Sequence, residues 1–239
     1  RSVNLCLSMC EQLYKIKSHN LTVLFSDDIM HDRLQYQNEK VELSEEPEGL
    51  YVPGENGAIF INYPNYIKNP PATLITIVHE LIHYFDSMLF VNDFCDGNWD
   101  NFENHEIYKT FRLWSEFHAV YRSLLLGREI YAYAMPEYYS REDIIEEFQD
   151  FTKINNYKNY IESFDVVDYY HIFRYCAEIM LCIGMNNQIT LDYCITNKLV
   201  KDFPAFKELF YDLLKMTTYK EAKEHLDLMH WKLFKHFEY

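Results

Sequence analysis

Two histidines with a glutamate between them, in the run His79-Glu80-Leu81-Ile82-His83, are the residues of this chain best spaced to do chemistry. On an α-helix, positions four apart differ by about 40° around the axis, so both imidazoles project from one side and can bind a single cation. Neutral imidazole suits Zn²⁺, which takes four tetrahedral nitrogen, oxygen or sulfur ligands. Glu80 stands beside the first histidine, where it reaches a metal-bound water rather than the metal and fits the role of general base. Placing three such groups on an apolar helix without partners would cost several kcal/mol, on the order of a buried polar group each. A bound cation removes that cost. The alternative is structural: backbone carbonyls satisfy the histidines and an arginine satisfies Glu80.

A catalytic zinc uses three protein ligands and keeps its fourth position for water. Asp86 and Leu89 stand where a metzincin continuation would need glycine and a third histidine. The leading third ligand is Glu116, in Trp114-Ser115-Glu116-Phe117-His118-Ala119, where the small Ala119 lets two helix backbones approach. Asp93, Asp96 and Asp100, in the segment between, remain rivals. Asp86 rises about 10 Å along the helix from His79, too far to share its metal, but could accept a hydrogen bond that orients His83. His105 would lie about 16 Å along its helix from Glu116, too far to share the metal, and reads as a surface residue, with a place lining the cleft as the alternative. His118 is about 200° round from Glu116 and reads as structural; Tyr121, at about 140°, is a marginal oxyanion donor. Arg112, one turn before Glu116, could hold Glu116 or a substrate carboxylate, or simply face solvent.

The elements that must position these groups are legible in outline. Asn69-Pro70-Pro71 starts a helix over about 72–90, because Asn caps orphan amides and Pro has no N–H to leave unpaired. Its apolar residues cover most of its circumference, which predicts burial. A polar loop over 92–101 and a helix over about 104–126 follow. Upstream, the spacing predicts a helix over 3–17, a strand over 21–25, an acidic loop over 38–48, and a hairpin joining 50–52 to 58–62 through Pro53-Gly54-Glu55-Asn56-Gly57. Downstream, helical patterns recur at about 142–152, 166–184, 189–199, 204–215 and 219–237. His225, His230 and His236 do not share a face there, so a second metal site is not expected. The fold class is α+β, a small N-terminal sheet packed on the H-E-x-x-H helix with a mostly helical C-terminal half. It divides into a catalytic region over 1–135 and a helical region over 136–239.

The run from 57 to 123 resembles a zincin of the gluzincin type: a strand, an H-E-x-x-H helix, then a helix carrying E-x-x-A. In layout it is most similar to the ImmA/IrrE family of zinc peptidases. That resemblance implies Zn²⁺ held by His79, His83 and Glu116, Glu80 as the base, and hydrolysis of peptide bonds in a peptide or protein substrate. It also implies that strand 58–62 is an edge strand to which an extended substrate adds as a further strand. Two other functions stay open: a non-catalytic regulatory or binding protein with a structural or vestigial zinc site, and a metal hydrolase acting on a non-peptide amide or ester.

Composition narrows the partners. Among 239 residues, 22 Lys and Arg stand against 37 Asp and Glu, a formal net charge of −15, and no basic cluster offers a local exception. Such a chain repels phosphate backbones, so nucleic acid is not expected as a direct partner. Six glycines and no phosphate-loop motif argue against nucleotide cradles. Cysteines 6, 10, 95, 176, 182 and 194 are too scattered for a disulfide framework and read as free thiols, which favours a reducing, cytoplasmic setting. The opening at Arg1 without Met and the sequon Asn20-Leu21-Thr22 keep secretion open. No membrane association is expected, because no run of about 18 apolar residues is present.

Overall fold

The computed structural model describes residues 2–36, 47–134, 169–185 and 206–235. The predicted helices over 142–152 and 189–199 lie outside these residues, as does most of the acidic segment over 38–48. The α+β class holds: helices dominate, with one three-stranded sheet near the N-terminus. Two compact units are distinguished, one formed by Arg1–His105 with Arg122–Tyr139 and one by Glu106–Tyr121 with Ser140–Tyr239.

In the first unit, α1 (Ser2–Tyr14) leads to β1 (Thr22–Ser26), the single turn α2 (Ile29–Asp32), the hairpin of β2 (Gly49–Val52) and β3 (Ala58–Asn62), and the short α3 (Tyr63–Lys68). The order is β1-β3-β2, with β1 parallel to β3 and β2 antiparallel to it. Ala58–Asn62 is therefore the central strand, not the edge that the zincin likeness implied. The reason is visible in its composition: Ala-Ile-Phe-Ile-Asn is almost wholly apolar and all five residues are buried, the signature of a strand covered on both faces. Periodicity could not report that the separate segment at β1 would pair along its other side.

α4 (Pro70–Phe94) packs against α1, α3, β2 and β3. Asn69 caps it as expected, its side-chain oxygen accepting from the Ala72 N–H at 3.3 Å. The helix outruns its predicted end at 90 because Val91 is buried and Phe94 stacks on Phe90, ring centroids 4.8 Å apart. It stops where Asp96 and Gly97 turn to positive φ (52° and 77°) and the Gly97 N–H returns to the Val91 carbonyl at 3.0 Å. By length and composition alone α4 could cross a bilayer, but most of that window is buried within the protein, as in a core helix.

α5 (Tyr108–Ala134) is one unbroken helix common to both units. In the second unit its Trp114 is fully buried, donates from Nε1 to the Met216 carbonyl at 2.8 Å and stacks on His118. Around it lie α6 (Tyr169–Met185) and α7 (Phe206–Leu213), each with a buried apolar stripe. The predicted helix over 219–237 is instead α8 (Tyr219–Lys223) and α9 (Leu226–His230), followed by a widened turn over Trp231–Lys235. The break falls where the His225 N–H bonds the Ala222 carbonyl three residues back and the His225 ring nitrogen Nδ1 meets the Glu221 carbonyl, both at 2.8 Å.

Candidate metal centre

His79 and His83 sit one turn apart in the middle of α4, both half-buried and so within reach of solvent. Their Nε2 atoms face each other at 3.0 Å, with the rings inclined at 81°. Glu116, buried on α5, brings a carboxylate oxygen to them, and the three ligand atoms all lie within 4.8 Å of one another. Among the described residues these three form the group able to hold a metal ion. Asp93, Asp96 and Asp100 are exposed and stand outside it.

A glycine marks a close approach of α5 to α4. A Cβ at Gly127 would lie 2.9 Å from Cγ1 of Ile75, so the later half of α5 rests directly on the start of α4. Gly127 follows Glu116 by eleven residues, about three turns and within roughly 20° of the same face. The contact lies within the first unit, at Ile75, one turn before His79. Ala119, the small residue expected to allow a close approach, is fully buried, and Gly127 makes a further close approach against the Ile75 side chain.

Glu116 has a second tie that the sequence did not disclose. Arg174 of α6 donates from Nη1 to Glu116 Oε1 at 3.1 Å and to the Tyr170 hydroxyl at 3.4 Å. Desolvation alone would lower the Arg174 pKa, but the Glu116 carboxylate and Tyr170 raise it above its ordinary value. Burial, and then the Glu116 charge, hold the Tyr170 phenol above its usual range. The only sequence signal was a cation on a mostly apolar helix, 58 positions away, with nothing to name its partner.

Glu80 is 8% exposed, and among the described residues no hydrogen bond or ion pair reaches its carboxylate. The arginine that a purely structural reading required is absent there among the described residues. Gly49, at the start of β2, lies against it: a Cβ on Gly49 would meet Glu80 Cγ at 3.1 Å, Glu80 Oε1 at 3.2 Å and Thr76 Cγ2 at 2.5 Å. Asp86 is fully buried and accepts from the Tyr14 hydroxyl at 2.7 Å, which ties α1 to α4. Burial, and then the Asp86 charge, push the Tyr14 phenol well above its ordinary value.

The remaining candidates take structural positions. His118 is buried against Trp114, and Tyr121 stacks on Phe117 at 6.0 Å. His105, expected at the surface, is half-buried with its ring edge-on to Phe90 and Phe94. Arg112 is exposed and donates to the Tyr108 hydroxyl at 3.4 Å. Cys6, Cys10, Cys95, Cys176 and Cys182 are buried and form no disulfide among the described residues, and burial pushes the Cys6 thiol up to about 12. Cys194 lies outside the described residues.

No protein-family model matches the chain, and neither a curated protein nor a solved structure was found to match it. What the fold and the site define is thus a mostly helical α+β protein with a His, His, Glu group able to bind a metal ion.

Proposed function

We propose that this protein is a zinc-dependent metallopeptidase, a hydrolase that cleaves peptide bonds with Glu80 as its base. The observation that carries the reading is the convergence of His79, His83 and Glu116 within 4.8 Å beside a buried Glu80 that no described residue engages. Two nitrogens on zinc bonds of 2.0–2.1 Å at a tetrahedral angle lie about 3.3 Å apart, close to the 3.0 Å between the two Nε2 atoms. A set of two imidazoles and one carboxylate is a catalytic zinc set with its fourth position open. When bound, the cation supplies Lewis acidity, which polarises a carbonyl and makes a water molecule easier to deprotonate.

The chain's own residues supply the rest. Glu80 takes the proton of the attacking water on a carboxylate oxygen, and the water oxygen bonds to the peptide carbonyl carbon. As the carbon–nitrogen bond breaks, Glu80 passes that proton to the leaving amine. Arg174 donates to Glu116 Oε1 and the Tyr170 hydroxyl bonds the same carboxylate, so both would orient Glu116 as a ligand. Because β3 is flanked on both sides, the strand offered to an extended substrate is β2, an outer strand whose Gly49 touches Glu80.

Elemental analysis beside peptide-library cleavage tests this. Wild type is expected to hold one zinc per chain, His79→Ala and Glu116→Ala little, and Glu80→Gln a full complement with hydrolysis lowered at least a hundredfold. Unimpaired turnover in Glu80→Gln would end the mechanism. The Arg174–Glu116 ion pair favours a second reading, a non-catalytic regulator with a structural or vestigial zinc site. Zinc that exchanges slowly and no cleavage of any library peptide would select it.

A further inference from the structure

One turn before Glu116 on α5, the second unit contains a pocket of about 510 Å³ lined by Tyr108, Lys109, Arg112, Tyr169 and Tyr170, with Phe234 beside them. Among the described residues no Asp or Glu lines it. In a chain of net charge −15, two adjoining cations with no carboxylate on the wall stand out. Among the described residues Lys109 makes no hydrogen bond or ion pair, and Arg112 makes one, to the Tyr108 hydroxyl. Most of the guanidinium fork is unused. Burial works against the Arg112 charge, but the Tyr108 hydroxyl, and then the Glu116 carboxylate, hold its pKa above the ordinary value. The volume lies in the range of specific ligand sites, and phenol rings flanking an arginine suit the stem and head of an acidic group.

We propose that this pocket recognises a carboxylate on a bound peptide, with Arg112 as its anchor, Lys109 as a supporting charge and the tyrosine rings of 108 and 170 against the aliphatic stem. Arg112 is a specificity residue: it touches the substrate away from the bond that reacts. Being one turn, about 6 Å, from Glu116 along α5, it would read a residue close to the scissile bond. The inference rests on the peptidase reading for its biological sense, but the chemistry of the pocket is testable without turnover. The carboxylate could come from an Asp or Glu side chain or from the peptide's C-terminus.

Binding of fluorescein-labelled pentapeptides to the zinc-loaded Glu80→Gln protein separates these cases. One set carries Glu or its isostere Gln internally, with the C-terminus amidated; the other varies free acid against amide on a neutral sequence. The expectation is that one carboxylate series binds at least tenfold tighter than its neutral twin, with the gap narrowing as salt rises. Arg112→Gln should erase that preference, and Arg112→Lys should keep part of it, because a point charge lacks the fork. Circular dichroism of these exposed-site variants should match the parent. Equal affinity for acid and neutral peptides in the parent, or a preference that survives Arg112→Gln, overturns the proposal. An Arg112-dependent preference in a protein that cleaves nothing would leave the pocket standing and remove only the peptidase reading.

Discussion

Glu80 is defined as much by its neighbour as by its place between two histidines. A Cβ on Gly49 would come within 2.5 Å of Thr76 Cγ2 and 3.2 Å of a Glu80 carboxylate oxygen, so the start of β2 leaves no unstrained room for one. Gly49→Ala is expected to destabilise the fold by about 1–3 kcal/mol, the usual cost of overpacking, read from urea unfolding. Because the added methyl presses on Glu80 and Thr76 but touches no proposed ligand, zinc content should hold while hydrolysis falls. A Gly49→Ala protein with unchanged turnover would show that Glu80 tolerates displacement. His79, Glu80 and His83 were legible in the sequence because helical periodicity and their own spacing are local facts. Gly49 was not, since its meaning lies in an approach between elements that spacing along the chain does not encode.

At the scale of elements, two helices carry the site. α4 was readable from its cap and its apolar circumference, and only its end was misjudged, where Phe94 stacks back on Phe90. α5 was readable as a helix, and the Glu116 that E-x-x-A nominated falls in the group able to hold a metal, but Gly127, where α5 meets Ile75 of α4, lies beyond the stretch from which the motif was read. Gly127→Val should push the two helices apart and draw Glu116 away from the histidines. The expected result is at least a tenfold loss of zinc affinity in competition with a chelator, with helical content retained. Unchanged affinity would mean that Arg174 alone suffices to place Glu116. The sheet was the weaker part of the reading. The hairpin of β2 and β3 followed from the turn residues between them, whereas the parallel pairing of β1 with β3 depends on a chain crossing that local sequence does not specify.

For the molecule as a whole, a ligand that binds only the native state stabilises it by mass action, about 2.7 kcal/mol at a hundred times its dissociation constant. For a chain of this size that corresponds to roughly 5–10 °C in Tm. Chelation of zinc should lower the wild-type Tm by such an amount and leave His79→Ala almost unmoved, as followed by scanning calorimetry. Equal responses would show that the metal binds elsewhere. Stability of the motif helix also has a remote source. The Tyr14 hydroxyl that meets the buried Asp86 comes from 72 positions upstream, at the end of α1. The link from α1 to β1 contains two residues with positive φ, Lys15 and Asn20, and is the natural place to cut. A fragment begun at β1 would keep every proposed zinc ligand and yet strip an interior carboxylate of its phenol, so the shortest autonomous fold cannot be drawn around the histidines alone.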